Sequence, residues 1–290
     1  MKKLFVLIVA ISLVGIAYAQ TNAPGGATPG IQKYYYESPT KSLLNCTDIL
    51  IYTDDAYHPA PNNYADQALV NLGCTYTGFY NGNFTGFETA LTTGTWDLVV
   101  FANDNYTPPT SVFDALNAYV LAGGRLICHS WIVNSNPLFT TLGLASFSPF
   151  GTTLPVYWWY PGNSLFNVPN VVPMLTGPFG GGSYGVDGFY VTALPGFNQL
   201  AGYTPTVSAG QEALLVGNGG RTIFQGFMDG LYIQDLNSNS KPDLVELYEN
   251  MLTEVCQPPT PPVPLSNWAI YLGIFLIAAF IVFRFRRRLA

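Results

Sequence analysis

Apolar and polar positions along the chain fall into two regimes. From residue 48 to residue 143, short apolar runs alternate with segments of helical period. DILIYTDD (48–55), CTYTGFY (74–80), WDLVVFAND (96–104) and RLICHSW (125–131) read as strands. NYADQALVNLG (63–73), FTGFETALTTG (84–94), TSVFDALNAYVLAGG (110–124) and NPLFTTLG (136–143) read as helices. Glycine ends all four, and Thr110 or Ser111 is the expected cap of the third. Such alternation predicts an α/β fold whose mostly parallel sheet is covered on both faces, doubly wound, with order 2-1-3-4 for its first four strands.

Beyond Asn136 the pattern loosens, through that short last helix into an aromatic, Gly- and Pro-rich insertion at 150–190. Order is expected to return in FNQLAGYTP (197–205) and in EALLVGNGGRTIFQGF (212–227), a hairpin turning at Asn218-Gly219-Gly220. DLVELYENMLTEVC (243–256) is the closing helix. The domain is thus expected over 47–256, after a flexible leader at 20–46.

The two ends of the chain carry a different message. MKKLFVLIVAISLVGIAYA (1–19) has the charged start, apolar run and small-x-small end of a signal peptide cleaved before Gln20. Residues 257–267 begin with QPPTPPVP, a Pro-rich spacer of roughly 25 Å in extended form. Trp268 to Phe283 is uncharged and mostly apolar, a short candidate transmembrane helix, and the basic tail 284–290 is expected to remain cytoplasmic. Between Gln20 and Leu265 lie all 17 acidic residues and five basic ones, a net charge of −12. A surface of that sign repels phosphate backbones and argues against a nucleic-acid partner.

Four cysteines in an exported chain allow three disulfide connectivities. Cys46 precedes the first strand of the domain and Cys256 ends its last helix, so Cys46–Cys256 is the candidate staple. Cys74 and Cys128 fall in or beside core strands and read as buried thiols.

In open α/β sheets, ligands sit beyond the strand carboxyl ends. Those ends offer Asp54, Asp55 and His58, then Asn103, Asp104 and Asn105, then Cys128, His129 and Ser130. The succession ILIYTDD, WDLVVFAND, ALNAYVLAGGRLICHSW, NPLFTTLG, a late hairpin and a final helix containing Glu249-Asn250 resembles the class I glutamine-amidotransferase-like superfamily, in particular its ThuA-like branches. The resemblance spans about residues 47–256. It implies a flavodoxin-like sheet and a nucleophile at a strand-to-helix turn, near Ser130 or Cys128. His58, with Asp54 or Asp55, is the candidate base and acid, reaching across from the first strand by the placement of its loop. The segment reads C-H-S-W-I-V, without the glycines that allow a strained elbow.

Two other stretches bear on ligands. Asp235, Asn237, Asn239, Asp243 and Glu246 stand at positions 1, 3, 5, 9 and 12 of a calcium loop, the one cofactor the sequence offers. Position 6 is Ser240 rather than Gly, and the alternative is a polar turn with Asp243 capping the last helix. Tyr157, Trp158, Trp159 and Tyr160 form either a carbohydrate-binding platform or packing beneath the insertion.

The order of Val263-Pro264-Leu265-Ser266-Asn267-Trp268, apolar helix and Arg cluster resembles bacterial C-terminal sorting signals of the IPTL-CTERM and PEP-CTERM kind. That resemblance implies export, anchoring, a processing protease as partner and transfer to the cell surface. The alternative is a permanent single-span anchor in the membrane. The sequence therefore predicts an exported, membrane-anchored or surface-sorted protein whose domain serves binding or envelope structure, with a glycan or envelope partner. A hydrolase and a carbohydrate-binding protein are the alternatives.

Overall fold

The computed structural model describes residues 32–36, 44–58, 62–180 and 185–257, together with Leu276 and Phe280, both helical and exposed. The signal peptide, linker, sorting motif, basic tail and most of the apolar C-terminal segment lie outside the described residues. No helix among the described residues is long and apolar enough to cross a membrane.

Eleven strands form one mixed sheet. They are β1 (Gln32–Tyr36), β2 (Ile49–Thr53), β3 (Tyr76–Tyr80), β4 (Leu98–Asn103), β5 (Leu126–Ser130), β6 (Leu144–Phe150), β7 (Tyr157–Trp158), β8 (Gly188–Ala193), β9 (Asn198–Gly202), β10 (Glu212–Gly217) and β11 (Thr222–Gln225). The main path runs β1-β3-β2-β4-β5-β11-β10-β8-β6, with β9 also on β10 and β7 on β9. Strands β3-β2-β4-β5 realise the expected 2-1-3-4 order. They and β11 are parallel, while β1 and the strands beyond β11 pair antiparallel.

The helices are α1 (Tyr64–Asn71), α2 (Phe84–Thr93), α3 (Thr110–Leu121), α4 (Pro137–Thr141) and α5 (Asp243–Cys256). Alternate strand residues explain why both sheet faces are covered. Ile49, Ile51, Val100, Ile127 and Ile223 pack with α1 and α5, whereas Leu50, Tyr52, Phe101, Cys128 and Phe224 pack with α2, α3 and α4. Side chains from the insertion, including Trp158, Phe166 and Leu175, join the first layer, so α5 lies between sheet and insertion.

Local signals explain the helix ends. Asn63 caps α1 by accepting the Asp66 N–H, and Gly73, at φ 68°, lets Cys74 N–H reach back to Leu69 O. Two expectations need correction, and one strand was not foreseen. Helix α3 begins after an extended Pro109 with no side-chain cap; Thr110 is its first residue, and the Ser111 hydroxyl donates to Glu88. The leader is not structureless throughout, because residues 32–36 form the edge strand β1. Strand β6, mostly exposed, has little apolar alternation to announce it and is held by its pairing with β8.

The Cys46–Cys256 disulfide is present, with Cα atoms 5.4 Å apart, and closes the start of the domain onto the end of α5. Cys74 and Cys128 are buried thiols.

Candidate functional site

The carboxyl ends of β2, β4 and β5, the turn after β11 and one side of α5 converge on a group of buried ionisable side chains. Asp54 and Asp55 follow β2, Asp104 follows β4, His129 belongs to β5, Asp229 opens a 3₁₀ turn after β11, and Tyr248 projects from α5. All six are nearly inaccessible to solvent.

His129 is the hub. Its Nε2 lies 3.1 Å from Asp104 Oδ1, and its Nδ1 lies 3.2 Å from the Tyr248 hydroxyl and 3.7 Å from Asp229 Oδ2. Tyr248 donates to Asp229 Oδ2 at 2.6 Å, and the Gln225 amide donates to Asp229 Oδ1 at 2.6 Å. The Asp229 N–H donates to Asp104 Oδ1 at 3.2 Å, closing the ring. Burial alone would lower the imidazole pKa, but the charges of Asp229 and Asp104 outweigh it and raise it. Burial raises both carboxylates, against the opposing pull of the imidazole.

A second group adjoins it. His58 Nδ1 meets Asp55 Oδ2 at 2.8 Å and its Nε2 meets the Tyr64 hydroxyl at 3.2 Å, with the ring centroids 4.5 Å apart. The hydrogen bond to Asp55 raises the His58 pKa, and the charges of Asp229 and Asp104 act in the same direction. His58 is 26% exposed, so this pair borders solvent while the first is sealed.

The expected nucleophile–base–acid arrangement is not assembled. Ser130 Oγ donates to Asn103 Oδ1 at 2.8 Å and accepts from Ile132 N–H at 3.1 Å, so it fixes the loop rather than facing an imidazole. Cys128 points into the apolar layer under α2 and α3, where burial pushes its thiol pKa far up. Both nitrogens of His58 are engaged by Asp55 and Tyr64. Of the two candidate acids, Asp55 and not Asp54 orients His58. The Asp54 carboxylate accepts from Tyr52 Oη, Asn103 Nδ2 and the backbone N–H groups of Asp104, Asn105 and Tyr106, at 2.6–3.1 Å. It thereby pins the β4 loop.

Asp229, Gln225 and Tyr248 escaped the sequence reading. A signal existed for the first of them. TIFQGFMD ends an apolar strand in a carboxylate just as ILIYTDD and VVFAND do. Tyr248 had none, because its place on α5 looks like ordinary core.

The loop 235–246 is tightly organised. Asp235 accepts the N–H groups of Asn239 and Ser240, Asn237 accepts that of Asn239, and Asn239 accepts that of Lys241. Ser240 takes φ 70° and so adopts the conformation for which Gly was missed. Glu246 accepts from the Asn237 and Asn239 amides at 2.7 and 2.6 Å. Asp243 does not cap α5. Its Oδ2 accepts from Gln234 and from the Leu236 N–H.

The aromatic run is divided. Trp158 stacks on Phe166 at 4.2 Å and its indole donates to Val172 O, and the Trp159 indole donates to Thr204 O, leaving them 5% and 9% exposed. A four-residue platform is therefore not formed. Tyr157 is half-buried and Tyr160 is 53% exposed, at the edge of an open groove of about 730 Å³.

No family model matches the chain, and no curated protein matches it. Among solved structures, that of PurLQS from Thermotoga maritima aligns with 70% of this chain and 97% of that one, at 9% identity and a TM-score of 0.40. A likeness at that level carries no argument about this protein.

Proposed function

We propose that the chain is an exported protein that holds an amidotransferase-like, doubly wound α/β domain outside the cytoplasm, tethered by its C-terminal apolar segment, and that the domain binds rather than catalyses. The supporting observation is the Cys46–Cys256 disulfide, which closes 210 residues of sequence separation. Such bonds persist in oxidising compartments. The occupied Ser130 hydroxyl and the core position of Cys128 favour binding over acyl transfer. The C-terminal sorting pattern adds anchoring, with or without processing, to this reading.

Thiol mapping of protein isolated from cells tests it. Cys46 and Cys256 should resist alkylation until reductant is added, and protease supplied outside the permeabilised envelope should digest the domain. Alkylation of both cysteines without reductant, together with protection from protease, overturns the reading.

A glycan is the ligand class that one observation favours. Exposed Tyr160 flanks a groove that also presents Pro161, Asn163, Asn198 and Gln199, an aromatic face beside amide donors and acceptors. Tyr160→Ala should abolish binding on a glycan array, while the buried Trp158 is unsuited to such a test. Glycan binding unaffected by Tyr160→Ala, or no binding by the intact protein, removes this second reading.

A further inference from the structure

The strand-end cluster has more acceptors than its own donors satisfy. One oxygen of Asp104, Oδ2, is buried without any hydrogen-bond partner, although Oδ1 of the same carboxylate touches His129 and the Asp229 N–H. The amide oxygen of Gln225 is likewise buried and unpartnered, while its nitrogen holds Asp229. An orphaned buried acceptor costs about 1–3 kcal/mol, more when charged, so two in one cluster leave a place for a donor or a positive group.

Protein cations do not supply it. Among the described residues, the ion pair made by a lysine or arginine is Lys241–Glu249, away from this cluster. Four carboxylates, those of Asp54, Asp55, Asp104 and Asp229, share the strand ends with two imidazoles. Even with both imidazoles protonated, the formal charge stays negative.

The geometry points to a divalent transition-metal ion of the Zn²⁺ kind, held by Asp104, His129 and Asp229. One ligand atom from each of these three lies within 4.8 Å of the others, and all three residues are buried. The 3.1 Å between His129 Nε2 and Asp104 Oδ1 is the spacing of neighbouring ligands around an ion with bonds of about 2.0–2.2 Å, and Asp229 stays within the 4.8 Å reach of both. Mixed imidazole and carboxylate ligands favour such an ion over Ca²⁺, which takes oxygen alone. With Nε2 as the ligand atom, Nδ1 remains to donate to Tyr248, and Gln225 orients Asp229. These are the supporting contacts expected behind a metal ligand. Bound through both oxygens, Asp104 would also give its bare Oδ2 a partner. Asp55 and His58 border the site on its more exposed side.

The test uses the full-length chain in detergent, stripped with chelator and titrated with Co²⁺ and then Zn²⁺. One equivalent of Co²⁺ should give visible absorption of mixed nitrogen and oxygen coordination, and Zn²⁺ should abolish it. Asp104→Asn and His129→Gln should weaken Zn²⁺ binding about tenfold or more, while Asp243→Asn leaves it unchanged. The chain has two histidines, so imidazole NMR of the unmodified protein reads the site even where a variant fails to fold. Zn²⁺ should move the His129 resonances. The inference is overturned by the absence of a one-equivalent Co²⁺ spectrum, by Zn²⁺ shifts confined to His58, or by binding of Ca²⁺ alone that Asp243→Asn removes.

Discussion

Helix α5 serves two clusters of ligand-type side chains, Tyr248 at the sealed strand-end group and Asp243 with Glu246 at the turn before it. The turn is local. Its side chains come from twelve consecutive residues and largely satisfy their own backbone, with exposed Asn237, Asn239 and Ser240 in contact with water. The strand-end group is drawn from positions 104, 129, 229 and 248 and is shut away from water. Similar chemical groups therefore carry very different energies. Removing a partner costs little where water can replace it, and costs much where a buried charge is left behind.

The largest effect should come from breaking the sealed group at its hub. In metal-free protein, His129→Ala leaves Asp104 and Asp229 facing each other without an imidazole, and a loss of about 3–5 kcal/mol is expected in urea denaturation. A smaller effect should come from Asp66, a buried carboxylate of α1 whose partners include Asn63 and the Tyr80 hydroxyl. Burial pushes its pKa up to about 7, above an unfolded value near 3.9. Its contribution is therefore complete below pH 4 and is lost as pH rises through 7, by roughly 2–4 kcal/mol. The thermal midpoint should fall between pH 4 and pH 7, and Asp66→Asn should flatten that slope.

The smallest effect is expected at the turn. Without added cation, Asp235→Ala should cost less than about 1 kcal/mol, since the freed N–H groups of Asn239 and Ser240 meet solvent. Equal urea midpoints for His129→Ala and Asp235→Ala would erase the contrast between the two clusters. A flat pH profile in the unmodified protein would show that Asp66 titrates as an ordinary carboxylate.

Elements with a strong local period were legible from the chain alone. The apolar runs of β2, β4 and β5, the glycine stop after α1 and the Asn218-Gly219-Gly220 turn each state their structure in neighbouring residues. The strand order followed because parallel strands joined by helices allow few arrangements. Ser130 and Asp54 were found at the right place with the wrong partners. Adjacency to a strand end predicts location, whereas hydrogen bonding depends on which loops arrive there.

By itself, the sequence determined the alternating elements, the acidic character of the domain, the candidate disulfide and the contiguous turn at 235–246. Each depends on composition or on residues close together in the chain. Only the tertiary structure decided that Asp104, His129, Asp229 and Tyr248 share one dry cluster, that Trp158 is core rather than platform, and that residues 32–36 pair with β3. Those outcomes depend on distant segments excluding water together, and no short window of sequence contains both sides of such a contact.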